Sequence, residues 1–508
     1  MKLSPKRWLF LTHRWLGIAL CLLFAMWFAS GVVMMYVGYP KLTAQERLAH
    51  LPALPAEAAL LTPQQALARA GWQQPLQELR LNAGTAGKPV YVLTLNPANK
   101  GHAGGHHATV IDATSGELLR EVDANTALAS AAAWAGPSAD AAQAMRYLGT
   151  VQEDAATHSR ALDAHRPLHV VALADDTWLY VSSRSGDVVR DATRSERAWN
   201  YAGAWIHWLY PLRGGALDKH WSNIVIWLSV LGTLGALSGS VIGIWRWRFA
   251  RPYRSGRRTP YPGRSMRWHH ISGLLFAAIT LTWIFSGLMS MNPWKIFNSG
   301  AAPLHTTALQ GQALSGLDVS ATPAQLLQAA GPGTRELRWL TVLGQPLVLA
   351  YGSSSTPQVL DARSAQAHTI DAEALRAALL QLLPAPLERI ETLNAYDLYY
   401  YARSEHSMTG GSDRPLPIWR AVFADEHQTW VHIDPHTGAV LGSLDSHGRT
   451  KRWLFAMLHS WDWLPLLERR PLWDALLIAL SLGGLLLSGT GAIIGWRRLR
   501  QSFRHRAR

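Results

Sequence analysis

Cysteine is nearly absent from this chain: of 508 residues only Cys21 carries a thiol. One thiol closes no internal disulfide, and it excludes thiolate-ligated iron–sulfur clusters, which need several. Cys21 lies inside an apolar run, where its expected role is packing. Acidic residues are missing from three stretches. The amino terminus to Arg14, residues 246–267 and the tail 497–508 hold four, eight and six lysines or arginines and no carboxylate. They carry +18, and the rest of the chain carries −4. An overall charge of +14 distributed this way signals membrane topology rather than a nucleic-acid footprint, so no nucleic-acid partner is expected. No strand-linked Gly-x-Gly-x-x-Gly, Walker loop, zinc-protease motif or nucleophile elbow occurs, which leaves the chain without a nicotinamide or flavin site of its own.

What is present is apolar sequence in long runs. Residues 15–37, 221–245, 268–291 and 471–496 each reach the ~20 residues needed to cross a hydrocarbon core, and none has an ionisable side chain in its middle. The first run follows a basic amino terminus as a cleaved signal would, but its counterpart at 268–291 is internal, so it is read as a retained span. The basic stretches put both termini and the 246–267 loop on the cytoplasmic side, where they also meet membrane lipid headgroups. Segments 38–220 and 292–470 then face outward. Of 24 tryptophans, 18 lie in or beside the four runs, where their expected role is interfacial anchoring.

The runs repeat. His13, Gly17, Trp27, Ser30 and Gly31 recur at an offset of 256 as His269, Gly273, Trp283, Ser286 and Gly287. At an offset of 252, Trp178, Gly186, His207, Trp221, Gly239 and Gly243 recur as Trp430, Gly438, His459, Trp473, Gly491 and Gly495. Four histidines thus stand in register at the ends of four apolar segments. Two neutral imidazoles on facing helices can hold haem iron, provided small residues admit the macrocycle. The reading is one haem b held by His13 and His269, with room left by Gly17 and Gly273, and a second held by His207 and His459. The second pair comes from aromatic stretches expected as interfacial amphipathic helices. His270 is the alternate for the inner site, although it points ~100° away from His269 on a helix, and His220 is the alternate for the outer one. Arg14, Arg267 and Arg246 are placed to pair with propionates or to anchor the chain. The plain alternative is a snorkelling interfacial side chain for His13 and His269, and a polar-face histidine among belt aromatics for His207 and His459.

The outward segments each open with a Thr-Pro helix signal, at Thr62 and Thr322, ending at Gly71 and Gly331. Alternating strands and turns follow, which suggests small α+β modules, two per half. The helix-plus-strand modules closing on an Asp-Pro-x-Thr-Gly turn, the run Asp397-Leu-Tyr-Tyr-Tyr401, and Arg414-Pro-Leu-Pro-Ile-Trp419 with its strand to Gly438 resemble the PepSY-associated transmembrane helix family. The likeness spans nearly the whole chain, although the first half reads Ser182-Ser-Arg-Ser-Gly186 at its turn and has no Tyr run. The resemblance implies a bacterial inner-membrane protein of iron acquisition, with periplasmic domains and, in ferric-siderophore reductases, b-type haem.

The expected architecture is therefore a four-transmembrane-helix bundle built from a tandem repeat, with two outward-facing PepSY-like α+β domains. Its divisions are 1–37, the first domain at 38–198, 199–245, the loop 246–267, 268–291, the second domain at 292–450, 451–496 and the tail 497–508. The expected activity is electron transfer from a cytoplasmic or quinol donor through two haems to an outward ferric siderophore or other Fe(III) chelate, with Tyr399, Tyr400, Tyr401 and Arg403 as acceptor contacts. The alternative is a non-redox scaffold whose outward modules bind a peptide or peptidase. The tract His102, His106, His107 reads as a solvated loop rather than a metal site.

Overall fold

A computed structural model describes residues 4–74, 76–95, 109–119, 121–136, 144–311, 314, 319–402 and 414–506. Arg403 and the tract His102, His106, His107 lie outside the described residues. Four helices, Pro5–Tyr36, Trp221–Arg246, Arg264–Ser290 and Leu472–Arg506, are long and apolar enough to cross a membrane. The first starts at Ser4, whose hydroxyl accepts from the Arg7 amide, with Pro5 in the opening turn.

These helices pack as a ring. The first lies against the second and fourth, and the third lies against the same two. First and third thus stand diagonally and meet through side chains, as where the Phe28 and Trp283 ring centres approach to 5.8 Å. Glycines let the large rings in: a Cβ at Gly484 would fall 2.3 Å from Phe28, and one at Gly483 would fall 2.2 Å from Phe276.

At one end of the bundle the two large segments build three antiparallel sheets. The first contains β1 (Leu76–Thr85), β2 (Lys88–Leu95), β3 (Thr109–Asp112) and β4 (Leu118–Leu119) from one half, and β9 (Glu336–Val342), β10 (Gln345–Tyr351) and β11 (Gln358–Asp361) from the other. Its order is β11-β10-β9-β1-β2-β3-β4. The stretches 38–198 and 292–450, read from sequence as separate domains, therefore share a seven-stranded sheet. The join is β1 against β9, with Leu79 opposite Trp339 and Arg80 opposite Arg338. A Glu-Leu-Arg triplet occurs at 78–80 and again at 336–338, and antiparallel pairing brings the copies face to face. Two arginines opposite each other would repel, but the accompanying glutamates neutralise them: Arg338 lies 3.0 Å from Glu336 and 3.7 Å from Glu78, and Arg80 lies 3.5 Å from Glu78. Pairing also hides one edge of each half-sheet from other chains.

The short helices Pro63–Arg69 and Pro323–Ala330 cover one face, each opened by a complete capping box on Thr62 or Thr322. Two further units complete the assembly. One is β5 (Arg146–Val151), β6 (Leu168–Ala172), β7 (Trp178–Ser182) and β8 (Val188–Ala192) behind the helix Ala124–Ala135. The other is β12 (Leu387–Leu393), β13 (Ile418–Phe423), β14 (Trp430–Ile433) and β15 (Val440–Leu444) behind Ala372–Leu379. In the first of these units Ser182 replaces the aspartate of the expected turn. Its hydroxyl accepts from the amides of Arg184 and Ser185, as Asp112 does from Thr114 and Ser115.

Candidate functional site

His13 projects from the first long helix onto the second, and His269 projects from the third onto the fourth. Nδ1 of His13 is 3.1 Å from the Gly235 carbonyl, and Nδ1 of His269 is 3.2 Å from the Leu487 carbonyl. A carbonyl can only accept, so Nδ1 carries the proton in both rings and Nε2 keeps its lone pair. The approach depends on glycine. A Cβ at Gly239 would sit 2.5 Å from His13 Cε1, and one at Gly491 would sit 3.2 Å from His269 Cε1. The two ring centres lie 6.2 Å apart, with their planes tilted by 33°.

The second pair is built differently and reaches the same spacing. The chain entering each histidine makes one π-helical turn, Tyr201–Trp205 before His207 and Trp453–Met457 before His459. Such a turn re-aims the residues that follow it and recurs at functional positions. Nδ1 of His207 lies 2.9 Å from the Ser30 hydroxyl, and Nδ1 of His459 lies 3.0 Å from that of Ser286. Each serine already donates to its own helix, Ser30 to the Met26 carbonyl and Ser286 to the Trp283 carbonyl, so each accepts from the ring. No Nε2 hydrogen bond is seen for either ring among the described residues, and the ring centres are again 6.2 Å apart. Trp27 also ties the first half together by donating 2.9 Å to the His207 carbonyl. Its counterpart Trp283 has a buried Nε1 with no partner.

The repeated distance has a chemical meaning. Two metal–nitrogen bonds of ~2 Å, plus ~1.1 Å from each nitrogen to its ring centre, place imidazole centres ~6.2 Å apart. Nδ1–H held by an oxygen, with Nε2 left open, is the arrangement that orients a ligating histidine. By both criteria each pair would suit a group whose metal takes two imidazoles. Among the described residues no group of three or more histidine, cysteine or acidic side chains could hold a metal ion.

The structure sorts the remaining candidates. His270 has both nitrogens engaged, Nδ1 with Thr259 at 2.7 Å and Nε2 with the Gly243 carbonyl at 2.9 Å, which leaves neither for a metal. His220 is exposed at the start of the second long helix. Gly17 and Gly273, expected to open the inner site, do not govern it: a methyl at either would make ordinary contacts, 3.9 Å from Cys21 and 3.5 Å from Leu487. The glycines that matter are Gly239 and Gly491. The signal was in the sequence, since they match at the same offset as His207 and His459. Arg14 and Arg267 are half-buried at the arginine-rich end, and Arg246 stacks on Phe10 and Tyr261.

Of the tyrosines expected to contact an acceptor, Tyr400 does not fit that role. Tyr400 is fully buried and donates to the Pro415 carbonyl, which removes it from any external acceptor. Tyr399 accepts from Trp453 Nε1 at 3.0 Å, and Tyr401 lies beneath the Arg452 guanidinium, which pairs with Asp462 at 2.9 Å. These tyrosines fasten the third sheet to the helical turn that carries His459. No protein-family model matches the chain, and no curated protein matches it.

Proposed function

We propose that the protein is a di-haem b reductase of the bacterial inner membrane, of the PepSY-associated transmembrane helix kind, carrying electrons to a ferric siderophore or similar Fe(III) chelate. The observation that carries this reading is the pair of 6.2 Å ring separations, each with Nδ1 held and Nε2 open. Matched contacts support descent from a duplicated half: Arg197 stacks on Trp178 at 4.1 Å as Arg449 does on Trp430 at 4.3 Å.

Haem held by two imidazoles would supply reversible one-electron transfer. His13 and His269 would hold one such group and His207 and His459 the other. Gly239 and Gly491 keep the inner imidazoles close to the neighbouring helices, and Ser30 and Ser286 fix the tautomer of the outer ones. His13 and Ser30 are separated by ~26 Å along one helix, so the two sites span most of a ~30 Å hydrocarbon layer. The arginine-rich end faces the cytoplasm by the positive-inside rule, which puts the sheets in the periplasm. His13 and His269 would hold the group nearer the electron donor, and His207 and His459 the group nearer the acceptor. One electron converts the chelated iron from Fe(III) to Fe(II), which hard oxygen donors hold less firmly, and the metal is released.

The activity is tested in proteoliposomes with an internal reductant, an external ferric hydroxamate and a chromogenic Fe(II) trap. Fe(II) should appear with the unaltered protein, and its rate should fall at least tenfold in His207→Ala and His459→Ala. Equal rates in protein-free vesicles would overturn the proposal.

A further inference from the structure

We infer that the arginine-rich end is a docking surface for an acidic, soluble one-electron carrier protein. The inference rests on the reading of the histidine pairs as haem sites and names the donor that reading leaves open.

The 246–267 segment does not lie as a loose lipid-binding strand. Arg248 donates its amide to the Arg258 carbonyl at 3.0 Å, and Tyr253 donates to Arg257 at 2.8 Å, which makes a hairpin with Gly256 at φ +74° in its turn. The hairpin is seated on His270, the neighbour in sequence of the inner-site His269. Thr259 is buried against His270 at 2.7 Å, the Tyr261 ring meets the same imidazole edge-on at 5.3 Å, and the Tyr253 hydroxyl donates to the Arg246 carbonyl at 2.8 Å. His270 adjoins His269. A partner resting on the hairpin is therefore one residue from an inner ligand.

The face so formed is cationic without internal compensation. Arg251, Arg254, Arg257 and Arg264 are exposed on the hairpin and its return, and Arg497 and Arg500 are exposed on the fourth long helix. Neither segment contains a carboxylate, and none of the six forms an ion pair among the described residues. Arg497 donates to Ser265 at 3.3 Å, which ties the helix to the start of the third. The exposed rings of Trp245, Trp268 and Trp496 mark the headgroup layer at this end. From Trp496 the fourth helix continues to Arg506, ~15 Å further. A headgroup layer is only ~6 Å deep. The helix end therefore projects past the headgroup layer, and the unpaired arginines of the hairpin and of the helix form a cationic patch that a protein partner can meet. A cationic patch of this kind steers an acidic partner and matters most for the rate of encounter. In each encounter the carrier would lose one electron to a haem held by His13 and His269; no bond is made or broken.

The test uses the full chain in neutral phosphatidylcholine nanodiscs, with flavodoxin as the acidic one-electron carrier. Binding of oxidised flavodoxin is read by biolayer interferometry, and reduction of the visible absorption by reduced flavodoxin is read in stopped flow. The triple variant Arg251→Glu/Arg254→Glu/Arg257→Glu should weaken binding and slow reduction at least tenfold while leaving the dithionite-reduced spectrum unchanged. Raising the salt from 50 to 300 mM should do the same to the unaltered protein, which covers a triple variant that fails to fold. Wild-type protein that ignores flavodoxin would overturn the inference, as would charge reversal that alters only retention on anionic vesicles. Salt-sensitive binding by a protein with no dithionite-reducible spectrum would uphold the surface and overturn the haem reading instead.

Discussion

Two glycines carry as much of the inner site as its histidines. A side chain at Gly239 meets the His13 ring at 2.5 Å, and one at Gly491 meets Cys21 Sγ at 2.5 Å as well as His269. Both sites lie in close-packed helix contacts, where overpacking costs about 1–3 kcal/mol and is relieved by moving a side chain. Gly239→Val should therefore displace His13 and lower haem content from two towards one per chain, measured as the pyridine haemochrome, whereas Gly17→Ala should leave it at two. The serines offer a milder test. Ser286→Ala removes the oxygen that fixes His459 Nδ1–H, a loss of about 1 kcal/mol. Haem content should persist while the outer site becomes easier to strip with imidazole, read as loss of visible absorption during titration. The histidines were legible in the sequence because duplication marked them. The choice between His269 and His270 was not, because it depends on Thr259, eleven residues upstream, taking up the second ring. Tyr400 was misjudged for a related reason: a Tyr run looks the same whether it lines a surface or fastens a sheet, and burial is set by strands remote in sequence.

At the scale of elements, the shared seven-stranded sheet turns on Glu336. The carboxyl is fully buried between Arg47 at 2.5 Å and Arg338 at 3.0 Å, with Arg80 at 3.9 Å. Burial alone would raise its pKa, but these three guanidiniums outweigh that and hold it at about 2. Glu336→Gln leaves them under-compensated and should cost about 3–5 kcal/mol, seen as a lower urea midpoint of the strand signal in circular dichroism. The depressed pKa also fixes a sign. The contribution of Glu336 is complete above the ordinary carboxylate range of ~4.3 and is lost as pH falls through 2. His165 and His432 act at milder pH. Burial, reinforced by Arg80 for the first and Arg420 for the second, lowers each to about 4. Between the ordinary value of ~6.5 and 4 the unfolded chain binds protons that the folded chain refuses, so stability should decline as pH falls across that window. His165→Gln should flatten the decline, and a pH-independent urea midpoint from 6.5 to 4 would refute the assignment. The helices and turns of these segments were readable from Thr-Pro caps and Gly-terminated turns. The sheet that joins the halves was not, since β1 and β9 are more than 240 residues apart and their Glu-Leu-Arg triplets gain meaning only when antiparallel.

For the whole molecule, each half supplies one histidine to each pair and one half of the central sheet. Neither half alone should bind haem, whereas co-expressed fragments cut in the hairpin tip near Gly256 should reassemble, with content restored in the joint preparation only. The four spans and the charge asymmetry were open to reading because membrane thickness and lysine and arginine placement are one-dimensional properties. The diagonal arrangement of the first and third helices was not, because it emerges from glycine–aromatic contacts such as Gly484 with Phe28. The central claim is that two histidine pairs hold two haems, and the visible spectrum of the purified full-length protein tests it most directly. The account predicts a dithionite-reducible Soret band and a split α-band, with two haems per chain falling to one in His13→Ala or His269→Ala and to one in His207→Ala or His459→Ala. A folded, colourless protein, or a haem content unchanged by all four substitutions, would contradict it.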